Sequence, residues 1–186
     1  GGGSDCLEYR DALYAVQVDL SRGTASDDGQ GRGAQAPWLA IESDTLISIE
    51  NIRGGRSNDR LIGDSGNNML DGGAGNDTLI GAAGHDVAIY SGALSDFRVE
   101  AIDGGLNWKV SDLRTARYAA TGEIVFIEAD ELIGVEEIRF GDDRQMFLQK
   151  LGASSEGFVA DPTARTTEAR ATLVSAPVAL TVQGSG

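Results

Sequence analysis

Four residues spaced nine apart carry the chemistry of this sequence: Asp59, Asn68, Asp77 and Asp86. Carboxylates and carboxamides are hard oxygen donors, and a row of them at one fixed interval suits a hard cation. Each stands near the end of a unit of the same make. From Gly54 the chain reads GGRSNDRLI, GDSGNNMLD, GGAGNDTLI and GAAGHDVAI without a gap, ending at Ile89. Glycine opens every unit, at Gly54, Gly63, Gly72 and Gly81. The eighth position is apolar throughout, at Leu61, Leu70, Leu79 and Ala88. Three periodicities in one register mark an internal repeat.

The elements that must hold these oxygens follow from the same columns. Residues rich in Gly and Asn make tight turns, because both tolerate the positive φ that such turns require. What remains of each unit is a short strand whose central side chain points inward. Stacked units give an all-β fold, a right-handed coil of parallel strands with the Leu column as its core. Strands this short bury little, so the turns must contribute stability of their own. An Asp beside converging backbone carbonyls forms an all-oxygen cage, and without a cation the stacked carboxylates repel one another.

The units resemble the G-G-x-G-x-D-x-U-x nonapeptides of the repeats-in-toxin (RTX, hemolysin-type) family, the β-roll module at the C-terminal end of type I secreted proteins. That resemblance implies Ca²⁺, at least two ions, lying between turns two repeats apart on one side of the roll. Asp59 then shares an ion with Asp77, and Asn68 shares one with Asp86. It also implies carbonyl ligands from Gly54, Arg56, Gly72 and Ala74 for the first pair, and from Gly63, Ser65, Gly81 and Ala83 for the second. Departures from the pattern matter. Ser57 stands where glycine is usual, Asp64 and Ala82 replace second glycines, and Asn68 replaces the key aspartate. An amide oxygen coordinates without charge, so the Asp59–Asp77 site is expected to be the tighter.

Before the repeats, Gly1 to Leu7 reads as the last part of another unit, with Asp5 as its aspartate and Leu7 as its inward residue. This start suggests a fragment or processed product with more repeats upstream. Ala15 to Leu20 alternates like a strand, and Ser21 to Gln35 reads as a polar loop. Asp44-Thr45-Leu46-Ile47-Ser48-Ile49-Glu50-Asn51-Ile52 then leads into the first full unit. Within it, Asp44 and Glu50 are either calcium ligands at the edge of the roll or ordinary surface carboxylates. The same D-x-L-I-x-x-E-x-I frame returns at Asp130 to Ile138 and runs into a closing strand, Arg139-Phe140-Gly141-Asp142. Between the copies, Phe97 to Ile102 and Trp108 to Leu113 alternate about Asp103-Gly104-Gly105, the pattern of a β-hairpin. Phe97, Trp108, Phe126 and Phe140 are expected as the core of a small sandwich capping the roll. Four parts result: 1–53 with the truncated repeat and connector, 54–90 with the four repeats, a β cap over 91–150, and a weakly structured tail over 151–186. In the family such an end carries an uncleaved export signal.

Composition narrows the function further. Acidic residues number 29 against 15 basic ones, a net charge of −14. Such a field repels nucleic-acid phosphates and anionic membrane surfaces. No apolar run is long enough to span a bilayer, so membrane insertion is not expected. One cysteine, Cys6, allows no intrachain disulfide, and a metal is the usual substitute staple in an extracellular protein. The chain opens Gly1-Gly2-Gly3-Ser4, and secretion by the ordinary signal-peptide route is not expected from these residues. Catalysis is left with one candidate, a carboxylate pair among the abundant acids, although the best-placed acids are those assigned to the cation. The only histidine, His85, falls at a position expected to face solvent, no Cys/His zinc set is possible, and no G-x-S-x-G frame occurs. The expectation is a non-catalytic module of a secreted bacterial protein. It binds calcium, adjoins an upstream domain and is exported by the type I secretion machinery. The alternatives are an adhesive or structural segment of a large surface protein and, less favoured, a small independent enzyme.

Overall fold

Glycine-rich turns alternate with strands of three or four residues through the repeats, as the nine-residue period dictates. The computed structural model describes residues 3–26, 43–148 and 168–170. Five strands precede the repeats: β1 (Cys6–Glu8), β2 (Gln17–Asp19), β3 (Thr24–Ser26), β4 (Ser43–Thr45) and β5 (Asn51–Arg53). The repeats supply β6 (Arg60–Ile62), β7 (Met69–Asp71), β8 (Thr78–Ile80) and β9 (Val87–Tyr90). After them come β10 (Phe97–Ile102), β11 (Asn107–Asp112), β12 (Arg117–Tyr118), β13 (Ile124–Phe126), β14 (Ala129–Ile133), β15 (Glu137–Phe140), β16 (Gln145–Phe147) and β17 (Glu168–Arg170). The fold is all-β. Among the described residues the only helical pieces are single 3-10 turns at Leu94–Asp96 and Leu113–Thr115, and no helix is long and apolar enough to cross a membrane.

Consecutive repeats fall in opposite sheets. One sheet runs β1-β5-β7-β9-β15-β16-β17, the other β10-β11-β14-β8-β6-β2-β3-β4. Units two repeats apart therefore pair in parallel, Leu61 opposite Leu79 and Leu70 opposite Ala88. Each inward column extends beyond the repeats in register. Leu7, Ile52, Leu70, Ala88, Ile138 and Met146 line one sheet. Ala25, Val18, Leu61, Leu79, Leu132 and Trp108 line the other. The two columns meet face to face, and all but Leu7 are buried. A three-residue strand gives only its central side chain to this core. Burial of a whole column, not of any one strand, is what drives stacking.

The cap is continuous with the roll. Strand β14 joins β8 in parallel and β15 joins β9, so both sheets run on before turning antiparallel at β11 and β16. The hairpin β10–β11 forms as the sequence predicts, with Phe97 opposite Asp112. Phe97, Trp108 and Phe140 are buried, and Tyr90, Phe97 and Phe140 pack with ring centroids 5.0 to 6.3 Å apart.

Several expectations need correction. Phe126 is exposed, because β12 and β13 form a separate two-stranded ribbon outside both sheets. The 15–20 strand is confined to Gln17–Asp19, although Val16, Val18 and Leu20 all face inward. The polar loop expected from Ser21 contains β3, which pairs antiparallel with β2. The rest of that loop, from Asp27, lies outside the described residues. So does the expected tail, apart from Glu168–Arg170, a strand parallel to β16.

Candidate metal centre

Parallel stacking puts the turns of alternate repeats directly over one another, one row on each edge of the roll. In each row, a backbone N–H at the end of one turn donates to the acidic side chain of the next. Along the first row, Val16 N–H donates to Asp59 Oδ1 (2.9 Å), Asp59 N–H to Asp77 Oδ1 (2.8 Å) and Asp77 N–H to Asp130 Oδ1 (2.9 Å). Along the second row, Asp5 N–H donates to Glu50 Oε2 (2.8 Å), and Asn68 Nδ2 donates to the Glu50 carbonyl (2.8 Å). Asn68 N–H then donates to Asp86 Oδ1 (2.9 Å), and Asp86 N–H to Glu136 Oε2 (2.9 Å). Asp59 and Asp77 thus stand in successive turns of one row, and Asn68 and Asp86 in successive turns of the other.

The second oxygen of each side chain separates the turns into two kinds. Asp59 Oδ2 accepts from Gly55 N–H (2.5 Å), and Asn68 Oδ1 accepts from Asp64 N–H (2.9 Å), so these turns close on their own amides. Asp77 Oδ2 and Asp86 Oδ2 are buried with no hydrogen-bond partner. In their turns the second residue has positive φ, +94° at Gly73 and +79° at Ala82. In the first of these turns the equivalent amide, Gly73 N–H, donates to Asp71 Oδ1 instead (3.2 Å). Positive φ is costly for an alanine, so this geometry is held by the stacked turns around it.

Burial pushes these carboxyls up. Asp77 rises to about 8, first through loss of solvent and then through the Asp130 charge. Asp86 rises to about 6, chiefly by burial, and burial raises Asp59 in the same direction. An unpaired carboxylate at such depth is unfavourable unless a proton or a cation joins it. The glycines leave room beside the oxygens. A methyl group on Gly54 would overlap Asp59 Oδ2 and the Gly72 carbonyl together, and one on Gly63 would meet Asn68 Oδ1 and, at 2.5 Å, the Gly81 carbonyl. Carboxyl, amide and carbonyl oxygens thus converge from two turns. Among the described residues no three His, Cys, Asp or Glu side chains gather into a metal cluster, so backbone carbonyls must supply much of any coordination. Two orphaned buried carboxyl oxygens in an all-oxygen setting fit a hard divalent cation.

Other expected residues fall less close to the rows. Arg56, Ser65, Ala74 and Ala83 lie in the four turns, where Ala74 N–H donates to the Gly55 carbonyl (3.1 Å) and Ala83 N–H to that of Asp64 (3.3 Å). Asp5 opens the second row, and its carbonyl accepts from Glu50 and Asn51 N–H. Asp44 is exposed on β4 opposite Ala25, away from both rows. Its counterpart Asp130 in the second D-x-L-I-x-x-E-x-I frame does extend the first row. There Asp130 Oδ2 also accepts from Tyr90 O–H (2.8 Å), and burial raises Asp130 to about 6.

Sequence reasoning passed over Asp130, Glu136 and Tyr90 as site residues. The repeated frame was the available signal for the two acids; Tyr90 had none. His85 is half-exposed, yet its Nε2 meets Oε2 of the buried Glu137 at 2.9 Å, and Arg139 holds the other Glu137 oxygen at 2.6 Å. Burial acts to raise Glu137, but the bonds from Arg139 and His85 outweigh it and hold the carboxyl below its usual range.

Residues 53–88 match the family model of the RTX calcium-binding nonapeptide repeat, in four copies. No curated protein matches the chain.

Proposed function

With RTX calcium-binding nonapeptide repeats over residues 53–88, we propose that this chain is a calcium-gated folding module of a secreted bacterial protein. The observation that carries the proposal is the pair of buried, unpartnered carboxyl oxygens on Asp77 and Asp86. Bound calcium would supply positive charge, and the turns would supply its coordination shell of oxygens. Asp59 and Asp77 hold one ion with the carbonyls of Gly54, Arg56, Gly72 and Ala74. Asn68 and Asp86 hold another with those of Gly63, Ser65, Gly81 and Ala83. Where calcium is scarce, a net charge of −14 and the buried acids of the rows oppose folding. Where it is plentiful, binding to the folded state alone draws the equilibrium toward the roll.

On this reading the chain is non-catalytic. It crosses the envelope unfolded through the type I machinery, folds outside, and stabilises the upstream domain to which it is joined. Residues 1–53 and 91–150 close the two ends of the 54–90 repeats, and 151–186 carries the export signal. The test is far-ultraviolet circular dichroism during a calcium titration, with magnesium as control. A cooperative gain of β signal with calcium alone is expected. A chain equally folded in chelator would remove calcium as the folding switch.

A further inference from the structure

We infer that the second row of cation sites does not end at the last nonapeptide. It continues by one position, between the Gly81–Asp86 turn and residues 134–136 of the cap. This rests on the calcium reading above and adds a site outside the repeats.

Three oxygens define the position. Asp86 Oδ2 is buried and has no hydrogen-bond partner, in a residue with no exposed surface. The Gly134 carbonyl approaches the same point: a methyl group on Gly81 would lie 2.5 Å from Asp86 Oδ2 and would overlap that carbonyl. Glu136 reaches the row with its carboxylate, whose Oε2 accepts from Asp86 N–H at 2.9 Å.

The arrangement repeats the one before it. Within the row, Gly63 is flanked by Asn68 Oδ1 and the Gly81 carbonyl, just as Gly81 is flanked by Asp86 Oδ2 and the Gly134 carbonyl. Gly63 N–H donates to the Ile80 carbonyl (2.8 Å), and Gly81 N–H to the Ile133 carbonyl (2.9 Å). The segment 133–136 therefore takes the place of a fifth turn, with Glu136 in the role of the repeat aspartate. At this position both side chains are acidic, whereas the preceding one relies on the neutral Asn68. A hard divalent cation gains from the extra charge.

The first row ends differently. Both Asp130 oxygens are engaged, one by Asp77 N–H and one by Tyr90 O–H. The three atoms nearest a methyl on Gly72 all belong to Asp77, with no carbonyl from the cap among them. At that end the acid from the cap has both oxygens engaged, while Asp77 Oδ2 stays unpartnered beside it.

The test counts calcium bound per chain by equilibrium dialysis, with far-ultraviolet circular dichroism at saturating calcium to verify folding. Glu136→Gln keeps an acceptor for Asp86 N–H and removes the charge. It is expected to bind one ion fewer than the parent chain, or to hold one ion at least tenfold more weakly, with an unchanged spectrum. Asp59→Asn is expected to weaken a different ion, so the double variant shows both losses. An unchanged count and affinity for a folded Glu136→Gln chain would overturn the inference. If Glu136→Gln fails to fold, Asp86→Asn replaces it; an unchanged count and affinity for that folded chain would also overturn the inference. A parent chain that binds no calcium would instead defeat the calcium reading itself.

Discussion

At the scale of single residues, what separates the four repeats is the fate of one carboxyl oxygen. Asp59 spends its outer oxygen on Gly55 N–H, Asn68 spends its amide oxygen on Asp64 N–H, and Asp77 and Asp86 leave theirs orphaned. Removing Asp77 takes away a charged ligand, whereas removing Asn68 takes away a neutral one. Asp77→Ala is accordingly expected to raise the calcium midpoint of folding by on the order of tenfold, and Asn68→Ala by less. Equal and negligible shifts in a calcium titration would count against the Asp59–Asp77 pairing. The same carboxyls set the response to pH. Folded values of about 8 for Asp77 and about 6 for Asp86 and Asp130 stand above the ordinary 3.8. Without calcium, the folded chain keeps protons that the unfolded chain has released. Stability is then fullest below about pH 4 and drains away as pH rises toward 8. In chelator, the far-ultraviolet β signal should be larger at pH 5 than at pH 8. Calcium, which competes with those protons, should add more β signal at pH 8. A chelated chain with equal signal at both would mean that the rows are open enough to solvate their charge.

At the scale of elements, the roll is two columns of single side chains, each supplied by a strand too short to stand alone. Leu79 lies between Leu61 and Leu132 and is fully buried. Leu79→Ala should therefore cost about 2–5 kcal/mol, read from denaturant unfolding in saturating calcium. A loss under about 1 kcal/mol would show that the column collapses around the gap. This part of the fold was legible in the sequence because a nine-residue period states strand, turn and inward position without reference to distant partners. The ends of the rows were harder to read. Asp130 meets Asp77 across 53 residues and Glu136 meets Asp86 across 50, contacts that no local period encodes. The repeated D-x-L-I-x-x-E-x-I frame announced that two segments were alike, yet only the second sends its Asp to a row. In the first copy that Asp lies on β4, and the Val16 amide takes the end of the row instead. Phe126 was misread for a related reason: apolar character does not reveal that β12–β13 departs from both sheets.

At the scale of the whole molecule, two explanations of calcium-driven folding compete. Calcium could act as a general counterion to a chain of net charge −14, or as a specific ligand of oxygens that folding buries. Monovalent salt separates them. At about 1 M the Debye length is near 3 Å, so repulsion between exposed carboxylates is largely screened. Buried charges are screened far less, and sodium chloride gives the orphaned Asp77 and Asp86 oxygens no divalent partner. If the rows are what calcium completes, 1 M sodium chloride in chelator should leave most of the β signal missing. Added calcium should restore it even in that salt, at a midpoint shifted upward by the weaker long-range attraction. Full folding in salt alone would instead assign the effect to net charge. The oxygen rows would then be a consequence of the stacked columns and not the reason they form.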